Sequence, residues 1–364
     1  MAALSAVVSR RAGPPVERAL DQLAMMRRGK FDLSWMRANP GGWGTRATRS
    51  DVGVTLEDIN VGSYAEAPNR GAAGGGAPRG AEAPPGTARL PGYDVDEKAE
   101  VWADNAAELY DEGALRQWSS ARDIPWRKLV ELPDEIERAV CQICTQLTQL
   151  ELVAVDVPAR WIGRVSREFH EVKLFLAAQI RDEARHVEVF RKRALAKGGG
   201  LLQASPCSEE VGRLILGARS FTVASAVMYL LFEGFVMSLY RDGESLAPTG
   251  VEKKIFQLCM QDEARHIAYG IRHLKYFLSR HPEREAEIHA ILAAGEEAVF
   301  ALAMEPQTIE PRAVLAGGGV DRMQEGLSHL ASLHRKHVRE YLHRLELTGL
   351  DRSTRCKIPL ELPQ

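Results

Sequence analysis

The chain contains the pentapeptide Asp-Glu-Ala-Arg-His twice, at residues 182–186 and 262–266. In an α-helix, residues three apart differ by roughly 60° around the axis and roughly 4.5 Å along it, so they share one face. Each copy therefore offers one carboxylate and one imidazole to a metal ion, a donor set suited to iron. Two such pairs supply only four ligands, and a site for two metal ions also needs bridging carboxylates.

Two further glutamates stand in otherwise uncharged stretches. Residues 139–155 contain one charged residue, Glu151, and residues 220–240 contain one, Glu233. A carboxylate without a partner inside an apolar helix costs several kcal/mol or becomes neutral, so it is usually paired or binds a metal. These glutamates precede those of the two pentapeptides by 32 and 30 residues, about the length of a helical hairpin.

The four elements together match the ligand set of di-metal helical bundles, in which two helices supply a Glu each and two others a Glu-x-x-His each. Each element alone is explained as well by a solvated helix surface, but all four in this order and spacing favour a metal site. The predicted ligands are Glu151, Glu183, His186, Glu233, Glu263 and His266. We predict no catalytic residues beyond these ligands.

The aspartates and arginines inside the pentapeptides are predicted to orient the histidines through hydrogen bonds and ion pairs. Asp182 and Asp262 lie four residues before His186 and His266. A metal-bound imidazole normally donates its other N–H to a carboxylate, and the two aspartates are candidates for that contact. We expect Arg185 and Arg265 to balance the aspartates' charge. The alternative is an ordinary surface pair of Asp and Arg three residues apart on a helix.

Helices must position these residues. From about residue 93 onward, apolar residues recur at three- and four-residue intervals, and no run alternates with period two. This pattern predicts an all-α bundle with long antiparallel helices, in which Pro158 separates the second helix from the third. The predicted helices span roughly 97–119, 134–156, 160–197, 208–241, 250–280, 283–303 and 320–347.

Composition divides the chain into four parts. Residues 1–64 form a weakly structured extension with a short amphipathic helix, and residues 65–96 form a flexible linker rich in Gly, Ala and Pro. The bundle is predicted at 97–303, and a helical extension at 304–364.

The overall composition excludes several classes of protein. The chain has 47 Lys and Arg against 49 Asp and Glu, which argues against binding to nucleic acid or an anionic membrane. Its five cysteines, an odd number, argue against a disulfide framework. The N-terminus lacks the residue order of a secretory signal. We therefore expect a cytoplasmic protein.

The ligand pattern resembles that of the ferritin-like carboxylate-bridged di-iron proteins, in the branch of ribonucleotide reductase small subunits and bacterial monooxygenase hydroxylases. The doubled motif looks most like that of the hydroxylases. The resemblance covers about residues 97–300 and implies a ferritin-like four-helix bundle with additional flanking helices. It also implies two iron ions, or one manganese and one iron, that activate dioxygen.

Three positions depart from relatives in this branch. Phe190 stands where the reductase subunits carry a radical tyrosine, which excludes a tyrosyl radical there. Cys259 stands where di-iron N-oxygenases carry a third histidine, and Met237 where the hydroxylases carry a threonine. Together with Tyr229, these residues are predicted to lie near the metals as an apolar pocket wall, although core packing explains the same spacing.

The resulting hypothesis is a di-iron oxidoreductase that hydroxylates, desaturates or N-oxygenates a small organic substrate. No flavin or dinucleotide fingerprint occurs, so an external electron donor such as a ferredoxin or flavin reductase is implied. The chain is compatible with a homodimer. The alternative is a ferroxidase or iron-handling ferritin-like protein, against which the long terminal extensions argue.

Overall fold

The computed structural model describes residues 15–36, 51–72, 76–81, 83, 87, 90, 92–197 and 199–362. These residues are mostly helical and contain no β-strand; isolated bridges pair Arg70 with Glu97 and Val95 with Val165. The prediction of an all-α fold is therefore confirmed. The helices are α1 (Pro15–Arg27), α2 (Leu56–Ile59), α3 (Ala106–Leu115), α4 (Asp134–Ile162), α5 (His170–Leu195), α6 (Pro206–Leu216), α7 (Phe221–Leu246), α8 (Gly250–Arg280), α9 (Glu285–Met304), α10 (Pro306–Gly317) and α11 (Met323–Thr348).

The chain forms two compact units, residues 1–67 with 72–92 and residues 68–71 with 93–364. The first contains α1 and α2, and the second contains the remaining helices. In the second unit, Val95 N–H donates to the Arg164 carbonyl at 3.0 Å, which holds this short stretch beside the end of α4. Part of the predicted linker at 65–96 lies outside the described residues.

Four helices surround the centre of the second unit. Helices α4 and α5 form one hairpin, and α7 and α8 form the other. Helix α3 packs on α5, α9 packs on α6 and on α7, and α10 and α11 pack against α4, α7 and α8. The bundle interior is lined by fully buried side chains such as Phe175, Leu176, Tyr229 and Leu230.

The predicted boundary at Pro158 is wrong. Helix α4 runs through this proline to Ile162, and α5 begins only at His170. A proline inside a helix removes one backbone hydrogen bond. Here it lies in the last turns of α4, where Val157, Pro158 and Trp161 are buried, and this burial offsets the lost bond.

Two other predicted helices are interrupted. The region 97–119 contains a single turn at Lys98–Glu100 followed by α3, and the region 208–241 is divided into α6 and α7. Gly217 ends α6, and the Ser220 side chain accepts a hydrogen bond from the Val223 N–H to begin α7. Such a side-chain cap favours a new helix over continuation of the previous one.

Helix α7 changes geometry directly before Glu233. Residues Ala226–Phe232 form a π-helix, all seven are buried, and the Glu233 N–H donates to the carbonyl of Met228, five residues earlier. A π-turn adds one residue to the helix and is often found at functional sites. It therefore changes the direction in which the following side chains leave α7.

Helix α7 is also long and apolar enough to cross a membrane by length and composition alone. Its most apolar window has 83% of its residues buried inside the protein. The composition of α7 is thus that of the central helix of a bundle.

A tight contact between α8 and the π-helix predicts a stability effect. A Cβ added at Gly270 would lie 2.3 Å from the Cβ of Tyr229, which cannot swing away because it is attached to the backbone. We expect Gly270→Ala to lower the free energy of unfolding by about 1–3 kcal/mol, although alanine favours a helix by about 1 kcal/mol over glycine.

Gly250→Ala is the matched control, since a Cβ at this first residue of α8 would meet nothing within 4 Å. Urea denaturation of both variants measures the difference. Equal stability of the two variants would show that the contact between α8 and the π-helix is not tight.

Candidate metal centre

The bundle brings the six predicted ligands together at its centre. Their ligating atoms form two groups of four, within each of which all atoms lie within 4.8 Å of one another. Glu183 and Glu263 belong to both groups and thus lie between the two positions. The first group adds Glu151 and His186, and the second adds Glu233 and His266.

Each imidazole turns its Nδ1 atom toward three carboxylates. His186 Nδ1 lies 3.0 Å from Glu183, 3.3 Å from Glu263 and 3.6 Å from Glu151. His266 Nδ1 lies 3.0 Å from Glu183, 3.6 Å from Glu263 and 3.8 Å from Glu233. The two halves of the cluster are therefore nearly equivalent.

Several of these atoms are buried without a hydrogen-bond partner. They are the Nδ1 atoms of both histidines, the Nε2 atom of His266, both carboxylate oxygens of Glu183, and one oxygen each of Glu233 and Glu263. A buried polar atom without a partner typically costs about 1–3 kcal/mol, and more when it is charged. Two cations placed among them would satisfy these atoms and would balance four carboxylates. The residues therefore fit a pair of divalent ions such as iron or manganese.

The predicted aspartates contact the histidines in a crossed arrangement. The Nε2 atom of His186, on α5, lies 3.2 Å from Asp262 of α8, and the Nε2 atom of His266, on α8, lies 3.5 Å from Asp182 of α5. Each histidine thus faces the aspartate of the other pentapeptide. The hydrogen bond between His186 and Asp262 fixes Nε2 of that histidine as the protonated nitrogen and leaves its Nδ1 free to bind a metal. The Nε2 atom of His266 lies near Asp182 but makes no hydrogen bond.

The two arginines join the same aspartates. Arg265 donates to Asp182 at 2.8 Å and to Asp262 at 2.5 Å, and Arg185 donates to Asp262 at 3.0 Å and also contacts Asp182. Two carboxylates and two guanidiniums form a closed, buried ring between α5 and α8. This ring is electrically neutral, so the charge of the aspartates does not add to that of the four glutamates.

Three residues near the cluster are not among the predicted site residues. The Trp118 Nε1–H donates to Asp262 at 2.7 Å, and its ring stacks on His186 with centroids 6.4 Å apart. The Tyr240 hydroxyl donates to Glu151. The Gln179 amide donates to Glu233 at 3.2 Å.

Helical spacing could have identified two of these three residues, Tyr240 and Gln179. Tyr240 follows Glu233 by seven residues and Gln179 precedes Glu183 by four, so each shares a face with a predicted ligand. The place of Trp118 depends on the loop after α3, for which no periodic pattern exists.

The predicted pocket residues lie in different surroundings. Phe190 is buried with its ring 5.6 Å from that of Tyr240. Tyr229 is buried and donates its hydroxyl to Gln179 at 2.8 Å. Cys259 is buried beside His186, and Met237 is half-buried on α7.

Two cavities lie between α4, α7 and α10. The first, of about 50 Å³, has Phe190 and Tyr240 in its wall, and the second, of about 380 Å³, lies among α4, α7, α9, α10 and α11. Both are largely apolar. The side chains in the walls of both are Gln146, Leu147, Leu239, Thr308 and Arg312.

Burial and mutual repulsion change the acidity of the cluster. Burial raises the pKa of Glu151 to about 8, and it raises the pKa of Glu233 well above its usual range. Burial alone would lower the pKa of His266, but Glu183 and Asp182 beside it raise that pKa well above 6.5. Protons therefore occupy these groups near neutral pH when no cation is bound.

No protein-family model and no curated protein matches the sequence. Solved structures do match. A variant of an R2-like ligand-binding oxidase with an anaerobically reconstituted Mn/Fe cofactor is 17% identical, covers 68% of this chain and 93% of its own, and superposes with a TM-score of 0.51.

Two further matches are R2-like ligand-binding oxidases reconstituted aerobically. One with an Mn/Fe cofactor is 17% identical, covers 71% of this chain and 94% of its own, and has a TM-score of 0.47. A variant with an Fe/Fe cofactor is 19% identical, covers 68% and 92%, and has a TM-score of 0.45. At such identities a match establishes the fold, and the one with a TM-score of 0.51 does so. The chain therefore has the ferritin-like fold of the R2-like ligand-binding oxidases.

Proposed function

We propose that the protein is a di-metal oxidoreductase that activates dioxygen to oxidise a small organic substrate. One observation carries the proposal: two buried Nδ1 atoms without hydrogen-bond partners face carboxylates from four helices. The proposed ligands are the six residues of the two groups, with Glu183 and Glu263 as bridges. Two iron ions, or one manganese and one iron, supply the electrons and the positive charge for dioxygen reduction when bound.

The surrounding residues hold this ligand set in place and keep it dry. All six proposed ligands are at most 3% exposed, so bulk water does not compete for the ligand atoms. Asp262 keeps a proton on Nε2 of His186, Asp182 lies 3.5 Å from Nε2 of His266, and the two arginines balance the charge of both aspartates. Tyr240 donates to Glu151, and Gln179 donates to Glu233, so each terminal carboxylate has a fixed orientation.

The substrate is proposed to be largely apolar. The wall of the smaller cavity contains Phe190 and Tyr240, and Tyr240 also contacts Glu151, so this cavity borders the ligand set. The solved structure that superposes with a TM-score of 0.51 is an oxidase described as ligand-binding, which supports binding of a ligand beside the metals. An external donor such as a ferredoxin or flavin reductase is proposed to supply electrons.

Metal analysis and oxygen consumption test the function. After anaerobic reconstitution with ferrous iron, we expect two ions per chain and rapid uptake of dioxygen by the loaded protein. Fewer than one ion per chain would contradict the proposal. Uptake of far more than two ions per chain would instead favour the iron-handling alternative.

Glu233→Ala should remove one of the two ions. Glu233 belongs only to the group of His266, so the ion at His186 keeps its four ligands. We expect about one ion per chain and loss of the spectroscopic signal of a coupled pair. Glu297→Ala is the matched control, because Glu297 is exposed on α9. If Glu233→Ala still binds two ions with unchanged spectra, this residue is not a ligand.

Metal binding should release protons at neutral pH. Glu151 has a pKa of about 8, the pKa values of Glu233 and His266 are raised well above normal, and all three must lose their protons to bind a cation. The affinity should therefore rise with pH between about 6 and 8, by about tenfold per unit for each displaced proton. Calorimetry in buffers of different ionisation enthalpy counts these protons, and release of none would refute the protonation pattern.

The crossed arrangement predicts which half of the centre each aspartate supports. Asp262→Asn should weaken binding at the position of His186, about 10–100-fold, because Asp262 faces that histidine. Asp182→Asn should act on the position of His266. Glu233→Ala removes the ion at the His266 position, so a double variant with Glu233→Ala reports on the His186 position alone. Chelator competition then compares the metal affinity of Asp262→Asn with that of Asp182→Asn, each in the Glu233→Ala background. Equal losses in the two backgrounds would contradict the crossed assignment.

A further inference from the structure

Helix α11 places an arginine without a counter-ion against α7. Arg344 donates its Nε–H to the carbonyl of Leu230 at 3.3 Å, and its Nη2 atom is buried without a hydrogen-bond partner. The residue is half-buried, and a buried guanidinium nitrogen without a partner costs free energy. Glu340, one turn earlier, is instead bound to Arg241 and accepts from Ser238 at 3.1 Å. The position of Arg344 therefore has a cost that an ordinary ion pair does not offset.

The guanidinium lies flat on the backbone beside a proposed metal ligand. A Cβ at Gly234 would be 2.5 Å from Nε, 2.5 Å from Nη2 and 2.6 Å from Cζ of Arg344. Any residue with a Cβ at position 234 would therefore collide with the guanidinium of Arg344. Arg344 can thus contact the backbone directly after Glu233 because residue 234 is a glycine.

These two contacts lie on either side of a change in helix geometry. Leu230 is within the π-helix Ala226–Phe232, and Gly234 is in the α-helical part that follows. One residue of an α-helix corresponds to a turn of roughly 100° about the axis. If the extra residue of the π-turn were lost, Glu233 would rotate by about that angle, away from the other ligands.

We infer that Arg344 is a positioning residue, whose guanidinium holds the transition from π-helix to α-helix between Leu230 and Gly234 and thereby aims Glu233 at the centre of the bundle. A carbonyl oxygen has two lone pairs, so Leu230 accepts this bond in addition to any bond within its own helix. The C-terminal region then has a definite role, because α11 supplies this side chain. The part of the inference that concerns metal rests on the proposed function, whereas the part that concerns helix geometry does not.

Hydrogen exchange of the metal-free protein tests the inference. Arg344→Met keeps most of the side-chain volume and removes the donors. We expect amide exchange in the peptide covering 226–234 to be at least about tenfold faster, with exchange in α10 and in the first half of α5 unchanged. Arg344→Lys retains a donor but not the planar group, so its effect should be smaller. Arg339→Met, on the exposed face of the same helix, is the matched control.

A second variant covers the case in which Arg344→Met fails to fold. Gly234→Ala displaces the guanidinium while favouring a helix, and it should accelerate exchange over the same residues 226–234. Unchanged exchange in both variants would overturn the inference. Uniform acceleration throughout the bundle would overturn it too, since that result indicates a general loss of stability.

Metal titration of Arg344→Met separates this inference from the proposed function. A loss of about tenfold in metal affinity at the His266 position, with the affinity at the His186 position unchanged, supports both the positioning role of Arg344 and the proposed function. If the unmodified protein binds no metal but Arg344→Met accelerates exchange at 226–234, the proposed function fails and the positioning role stands. Equal loss of affinity at both positions would overturn the specific link between Arg344 and Glu233.

Discussion

Electrostatic repulsion among four buried carboxylates is the interaction on which the structure of the bundle depends. Inside a protein, water does not screen like charges as it does at a surface, so Glu151, Glu183, Glu233 and Glu263 cannot all be ionised without compensation. The metal-free chain compensates with protons on Glu151 and Glu233 and on the histidines. The same charges would favour replacement of those protons by two divalent cations, as proposed above.

This constraint explains why the aspartates beside the cluster are paired with arginines. Asp182 and Asp262 would add two more negative charges, but Arg185 and Arg265 neutralise them within the same closed ring. The ring crosses from α5 to α8, so it also fixes the distance and rotation of the two helices that carry both histidines. Because each aspartate faces the opposite histidine, the two hairpins cannot separate without disturbing both halves of the centre.

Much of the site was predictable because its residues are costly. An isolated glutamate such as Glu151 or Glu233 in an apolar helix stands out by charge alone, and helical spacing places each glutamate beside its histidine. The ferritin-like fold followed from the same pattern. The ends of the helices were less predictable: Pro158 is tolerated because of tertiary burial, and the capping of α7 by Ser220 depends on one hydroxyl. The local sequence does not show which residues will be buried by distant helices or which hydroxyl will cap a helix.

Contacts between distant segments were not predictable from periodicity. The π-helix before Glu233 consists of residues that suit an α-helix equally well, so its geometry must be imposed by neighbours. Gly270 allows α8 to approach it on one side, and Arg344 of α11 contacts it on another. Neither Gly270 nor Arg344 belongs to a recognisable sequence motif, and they are 74 positions apart in the chain. The direction of Glu233, a proposed metal ligand, is therefore decided as much by the outer helices that pack against the π-turn as by α7 itself.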